Sequence, residues 1–399
     1  MTSLNIDLIN LFFQAAHMRR WNDHLRPVEF IELDKQAHKA VIAWALARYE
    51  ESENGAEIDW RMIIEGGMFE FMQRVILTDL KPPVFHRIKR NKGEELQEFV
   101  VSELSAIPGV DSAMMEAFRS YFDVDTFSLE RRVLNAAHYL ATDWEFRIVY
   151  EYNPRLYGIE DTRRAIDLQI EDHYDLVGVQ RTLLGKKSAG FVDFTGQLRF
   201  QSRWARSPRS PMTSVLGHSL MVALMAFLIS NNAGDCPRRM YNNFYTALFH
   251  DLPEVLTKDI ISPIKRNIGG LQEILDGYER ELVEDRLLPL LPSRWHPGMR
   301  YLLFEPGTNK AMVSGEEKVF DEDIPAYLNV DQNEPRDGRM VKMCDLLSAY
   351  LEASSSIKHG ISSRTLRDGS EELRDRLVGT RVRDLDVNAL VDAIDSLEV

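Results

Sequence analysis

Four side chains in the second half of the sequence, His218, His250, Asp251 and Asp345, carry the donor atoms of a metal site. Imidazole nitrogen and carboxylate oxygen suit a borderline or hard divalent ion, so the expected cofactor is one ion of Mn, Co, Mg, Zn, Ni or Fe. The adjacent His-Asp pair constrains its own backbone. Neighbours on a helix project about 100° apart, so both reach one ion only at a helix end or a local distortion. Pro253 supplies such a place, because proline disfavours the helical conformation in the residue before it, here Leu252. Four protein ligands leave positions on a five- or six-coordinate ion for water and a substrate oxygen. A bound cation lowers the pKa of its water from 15.7 toward ~7 and stabilises charge on a phosphoryl oxygen. Glu254 lies one helical turn past His250, on the same face, and Asp259 follows it. These carboxylates are the candidates to orient the attacking water or to protonate the leaving oxygen. Arg203, Lys258 and Lys265 are the nearby cations suited to a phosphate, arginine by a bidentate grip.

Each of these residues has a plainer reading. A histidine such as His218 on an apolar helix usually just finds a hydrogen-bond partner. Asp345 sits among Val341, Cys344, Leu346 and Leu347, where an unpaired carboxylate would be costly. Metal ligation removes that cost, and so does a salt bridge to Lys342. Glu254 and Asp259 suit helix capping or pairing with Lys258, and Trp204 suits ordinary packing. The ordered set of His218, the His-Asp pair and Asp345 favours the metal reading over the sum of the plain ones.

The elements that must position these groups read as helices. In HSLMVALMAFLIS the apolar positions cover almost the whole helix surface, as in a central buried helix. DKQAHKAVIAWALARYEE, WRMIIEGGMFEFMQRVIL, RRVLNAAHYLATDWEFRIVYEY, MYNNFYTALFHDLPEVL and RMVKMCDLLSAYLEASSS carry the same period. Strand signals are few: FVDFTGQLRFQ (191–201) alternates around a Thr-Gly pair and predicts a small hairpin. Residues 288–340, rich in Pro, Gly, Asn and Asp, predict a loop-rich insertion and, between two ligands, a lid.

The first half echoes the second. EFMQRVILTDLKPPVFHRI (70–88) matches HDLPEVLTKDIISPIKRNI (250–268) without a gap, and at the same spacing His38 falls on His218. Arg20-Trp21 precedes the first unit much as Arg203-Trp204 precedes the second, and the helix of His138 is similar to that of Asp345. Glu70-Phe71 stands where the His-Asp pair should be and Arg74 where Glu254 stands. Phenylalanine cannot ligate a metal, so the first half is expected to be a degenerate copy in which His38 and His138 are structural remnants. The expected division is a degenerate helical unit at 1–150, a linker at 151–194, a catalytic unit at 195–375 and a C-terminal tail at 376–399.

The motif GHSLMVALMAFL…LFHDLPEVLTKDIISPIK…VKMCDLLSAYLEA resembles the HD-domain phosphohydrolases, in particular their 5'-deoxynucleotidase branch, from Arg203 to Glu352. The resemblance implies an all-α fold and metal ligands at His218, His250, Asp251 and Asp345. It implies catalytic assistance from Glu254 and Asp259. It further implies substrate contacts from Arg203, on the phosphate, and from Trp204, packed where a ribose 2'-hydroxyl would sit. Gly217 departs from the glutamate common before the first ligand histidine. The expected reaction is metal-dependent hydrolysis of a (deoxy)nucleoside 5'-monophosphate, with Lys265 beside Arg203 on the phosphate. A dNTP triphosphohydrolase or a cyclic-nucleotide phosphodiesterase uses the same ligands. A nucleotide-sensing or assembly protein is the reading from another class. Because single-unit relatives pair, a homodimer or an internal pseudo-dimer is expected.

The bulk numbers agree with a small-molecule site. The net charge of −14 argues against coating nucleic acid or an anionic membrane. Two cysteines, Cys236 and Cys344, form no CxxC pair, which points to a reducing cytoplasm. The N-terminal MTSLNIDLINLFFQAAHMRR reads as an amphipathic helix rather than a signal peptide, and no run is expected to reach the ~18 apolar residues of a membrane span.

Overall fold

The computed structural model describes residues 4–78, 82–124, 127–257 and 271–398. The expected all-α class holds: helices dominate, and the strands among the described residues form one two-stranded pair and one three-stranded sheet. The chain divides into two compact units, Asn5–Leu176, and Val177–Val399 together with Met1–Leu4.

The first unit begins with α1 (Ile6–Gln14), whose apolar face of Ile6, Leu8, Ile9, Phe12 and Phe13 is buried and whose first turn is capped by Asn5 on the Leu8 amide. Two-residue strands β1 (Arg19–Arg20) and β2 (Phe30–Ile31) pair antiparallel and lead into α2 (Glu32–Asn54). Helices α3 (Trp60–Leu77), α4 (Pro82–Ser105), α5 (Ser112–Asp123), α6 (Leu129–Tyr152) and α7 (Ile159–Glu171) follow. The core pairing is α2 against α6, with α3 beside both.

The second unit contains α8 (Val177–Leu183), α9 (Lys187–Gly196), α10 (Val215–Asn232), α11 (Pro237–Phe249), α12 (Glu254–Thr257), α13 (Leu271–Leu282), α14 (His296–Leu303), α15 (Gly338–Lys358), α16 (Arg364–Leu377) and α17 (Val387–Ser396). Helix α10 is apolar all round because it is covered all round, by α11 and α15 above all. By length and composition it reaches a membrane span, against the expectation that no run would, but it is buried inside the unit as a core helix. Ser214 starts it by accepting from the Gly217 amide at 2.9 Å. Pro237 occupies the first turn of α11, where its missing N–H costs nothing.

Three expectations are corrected. Residues 191–201 are not a hairpin: they finish α9 and form a 3-10 turn, Gln197–Phe200. The stretch 151–194 is not a linker but carries α7, α8 and most of α9, and the tail 376–399 contains α17, whose Leu390, Val391 and Ile394 are buried. Residues 288–340 are turn-rich yet ordered. They hold α14 and the sheet β4–β3–β5, formed by β3 (Asn309–Val313), β4 (Glu316–Phe320) and β5 (Arg336–Asp337). The buried Arg336 satisfies backbone carbonyls that the turns leave open, reaching Glu305 at 2.7 Å and Thr308 at 3.2 Å.

That sheet meets the start of α15, the helix that carries Asp345. Arg239 of α11 grips Asp337 with two hydrogen bonds of 2.7 and 2.6 Å, and Asn243 donates to the same carboxylate at 2.9 Å. Gly338 follows so closely against β3 that an added Cβ would overlap the backbone of Thr308. Gly338→Ala is therefore expected to destabilise the chain by about 1–3 kcal/mol through backbone displacement, read as a lowered denaturant midpoint. An unchanged midpoint would show that the contact relaxes freely.

Candidate metal centre

The second unit brings His218, His250, Asp251 and Asp345 together from three helices. His218 sits in the first turn of α10 and is fully buried. His250 is the C-terminal cap of α11, and Asp251 follows in the turn before α12, so the pair occupies the helix end that convergence requires. Asp345 lies in the second turn of α15. One donor atom each from His218, His250 and Asp251 lies within 4.8 Å of the others. Asp345 Oδ1 is 3.0 Å from His218 Nε2 and 3.9 Å from His250 Nε2.

The tautomers are set from behind. His250 Nδ1 donates to the Ala247 carbonyl at 2.7 Å, which turns Nε2 toward the cluster. His218 Nδ1 lies 3.1 Å from Glu352 Oε1 and 3.1 Å from Ser348 Oγ, which leaves Nε2 facing Asp345. This is the arrangement of a ligating imidazole braced by a carboxylate. His250 Nε2 is buried and faces Asp251 Oδ2 at 3.2 Å and Asp345 Oδ1 at 3.9 Å, an arrangement that requires a partner for the nitrogen and positive charge for the carboxylates. A divalent cation meets both conditions, so the donor set fits one.

The electrostatics follow from burial opposed by neighbours. Burial pushes the His250 imidazolium down, but Asp251 and Asp345 outweigh it and raise its pKa. Burial pushes Asp251 up, while His250 and Arg203 hold it well below the usual carboxylate range, against the like charge of Asp345. Asp345 is likewise depressed, by Lys342 and His218. The plain alternative for Asp345 is thus also present: Lys342 Nζ approaches its second oxygen at 2.7 Å. One carboxylate serves both contacts through different oxygens.

Arg203 stands over the cluster, Nη1 3.5 Å from Asp251 and Nε 3.4 Å from Glu352. Trp204, in a left-handed backbone conformation at φ 55°, donates its indole N–H to Glu352 at 3.0 Å and lays its ring against Gly369 of α16. Glu254 opens α12 beside the cluster. Asp259 and Lys265, like Lys258, lie outside the described residues.

Glu352 was not singled out from the sequence. It is buried and joins Arg203, Trp204, Arg209 and His218. The signal was its place two helical turns after Asp345, on the same face of α15.

The first unit repeats this hydrogen-bond scheme. Arg19 pairs with Ile31 as Ser202 pairs with Ser214, and the Glu32 amide bonds the Met18 carbonyl as the Val215 amide bonds that of Gln201. Trp21 has φ 54° and donates to Glu145 at 2.8 Å, which also receives Arg20 Nε at 2.8 Å. This register places Lys35, rather than His38, opposite His218, and His138 opposite Asp345. Lys35 Nζ contacts His138 Nδ1 at 2.6 Å, where His218 contacts Asp345 in the second unit. His38 is buried and sets its ring edge-on to Trp144, as a core residue does.

Comparison with known proteins places the second unit. Residues 195–374 match the family model described as "HD domain". Similar curated proteins include a 5'-deoxynucleotidase of Pectobacterium atrosepticum, 25% identical over 182 residues, covering 44% of this chain and 77% of the relative. Others are the 5'-deoxynucleotidases of Pasteurella multocida, 24% identical over 185 residues (44% and 77%), and of Vibrio parahaemolyticus, 23% identical over 177 residues (44% and 78%). No solved structure matches the chain.

Proposed function

We propose, from the match of residues 195–374 to the HD-domain family model and the similarity to 5'-deoxynucleotidases, that this chain is an HD-domain phosphohydrolase that hydrolyses a (deoxy)nucleoside 5'-monophosphate to nucleoside and phosphate. The observation that carries the reading is the convergence of the buried His250 Nε2 with His218, Asp251 and Asp345 beneath Arg203. The relatives' printed activity supports the choice of substrate.

His218, His250, Asp251 and Asp345 would hold the divalent ion, which would supply the positive charge that activates a water nucleophile and neutralises the phosphoryl group. Arg203 is poised to receive the phosphate. Its guanidinium is already held at Nε by Glu352, so it is pre-oriented, and Asp251 is the partner a substrate oxygen would compete with. Glu352 fixes His218, Arg203 and Trp204 at once, so metal ligand, phosphate ligand and sugar wall share one anchor. In this reading Trp204, held through its indole nitrogen by Glu352, packs where a ribose 2'-hydroxyl would sit. Glu254, at the start of α12, is the described carboxylate placed to manage protons. In the same reading Asp259 assists it, Lys265 joins Arg203 on the phosphate, and the first unit is a degenerate HD-like copy.

The deciding experiment offers the chain nucleoside mono-, di- and triphosphates and cyclic nucleotides with Mn, Co, Mg or Zn and identifies products by chromatography. Orthophosphate and deoxynucleoside from the monophosphate are expected. Release of triphosphate from a dNTP, or a linear nucleotide from a cyclic one, would replace this reading with the corresponding relative reaction.

A further inference from the structure

The first unit keeps the scaffold of the metal centre but reverses its polarity. Where the second unit has His218 and Asp345, donors for a cation, the first has Lys35 and His138. The Lys35 side chain is buried and sets its Nζ 2.6 Å from His138 Nδ1. Around this pair, Lys39 is bonded to Glu70, Arg20 reaches Glu32 at 2.9 Å and Glu145 at 2.8 Å, and Arg74 reaches Glu32 at 3.2 Å. Among the described residues of the cluster, the four basic side chains Arg20, Lys35, Lys39 and Arg74 face the three acidic ones Glu32, Glu70 and Glu145.

We propose that this cluster in the first unit is a metal-independent binding site for a phosphate group, with Lys35 standing in for the cation and Arg74 and Arg20 at its rim. The geometry favours an oxyanion for three reasons. The cations come from three separate elements, β1, α2 and α3, and converge from different directions, as a tetrahedral anion needs. The cluster is graded in access: Lys35 and Lys39 are buried, whereas Arg74 is 26% exposed and His138 is half-buried. Finally, the charged neighbours that act most strongly on His138 are cations. Burial pushes its pKa down, and Lys35, Lys39, Arg20 and Arg74 all push it the same way. Burial likewise drives Lys35 toward its neutral form against the pull of Glu32, and an entering phosphate would favour the charged form of both groups.

The test is isothermal calorimetry on the full chain in excess chelator, with inorganic phosphate and with 2'-deoxyadenosine 5'-monophosphate as probes. One saturable, metal-independent event is expected. It should weaken at least tenfold in Arg74→Ala, disappear in Lys35→Met and persist in Asp251→Ala. Equal affinities for the two probes would mark a site for free phosphate, and tighter nucleotide binding a site for a nucleotide's phosphate. Absence of saturable binding under chelation would overturn the proposal. So would binding that is lost in Arg203→Ala but intact in the rim variant Arg74→Ala, whose partly exposed side chain can be removed without emptying the core.

Discussion

Asp251→Ala is expected to abolish divalent-metal binding and phosphate release together, with turnover falling about a thousandfold or more. The magnitude follows from the role assigned to the ion: charge stabilisation worth several kcal/mol, at 1.36 kcal/mol per tenfold in rate. Asp251 is the group whose loss affects most of the centre. Its Oδ2 lies 3.2 Å from His250 Nε2 and 3.5 Å from Arg203 Nη1. Its removal takes away one ligand, the nearest counter-charge of a second, and a partner of the arginine placed to receive phosphate. The comparison to make is titration of Mn or Co by calorimetry beside an orthophosphate assay, with circular dichroism to check folding. A variant that folds, binds the ion stoichiometrically and turns over at the parent rate would remove this centre from the reaction.

Glu352 is the second place where a single atom exchange should matter. Glu352→Gln keeps the shape but removes the charge that meets Arg203, Arg209 and His218. A carboxylate behind a ligating histidine typically contributes 10–100-fold in metal affinity, and a loss of about that size is expected. Glu352→Leu leaves buried arginines without their partner and should cost about 3–5 kcal/mol of stability. The pH dependence has a definite sign. Burial pushes Glu352 up, but Arg203 and His218 bring it from its ordinary 4.5 to about 2. Because the folded value is below the unfolded one, the stabilisation is full above about pH 4.5 and is lost as pH falls toward about 2. At neutral pH it amounts to about 3 kcal/mol. Denaturant unfolding of the metal-free chain across that range should show the gap between parent and Glu352→Gln closing as pH falls. A gap that stays constant would show that the charge of Glu352 does not stabilise the fold.

Much of this was legible in the residues. The long helices follow from apolar period, and the His-Asp pair announced a helix end through Pro253. What failed did so for identifiable reasons. In 191–201 FVDFTGQLRFQ alternates as a strand would, but the buried positions are Phe191, Val192, Thr195, Gly196, Leu198 and Arg199, the spacing of a helix face. The gapless match of the two halves sets His38 against His218, whereas the backbone pairing at the β1–β2 junction corresponds to that of Ser202 with Ser214 and sets Lys35 there instead, because string comparison cannot see hydrogen bonds. Glu352 went unnoticed because a buried carboxylate reveals its partners only once Arg203, Trp204 and His218 have come together in space.

The two tryptophans held by buried glutamates have an optical consequence. Trp204 and Trp21 each sit beside a candidate ligand site with the indole N–H on a buried carboxylate, so each is a fluorophore whose emission depends on local charge. A cation or an anion arriving next door changes that field, and the colour and lifetime of the nearby indole change with it. With the remaining tryptophans replaced by phenylalanine, the chain becomes a pair of independent reporters. One would read occupancy of the second unit and the other that of the first, in a single cuvette and without a label.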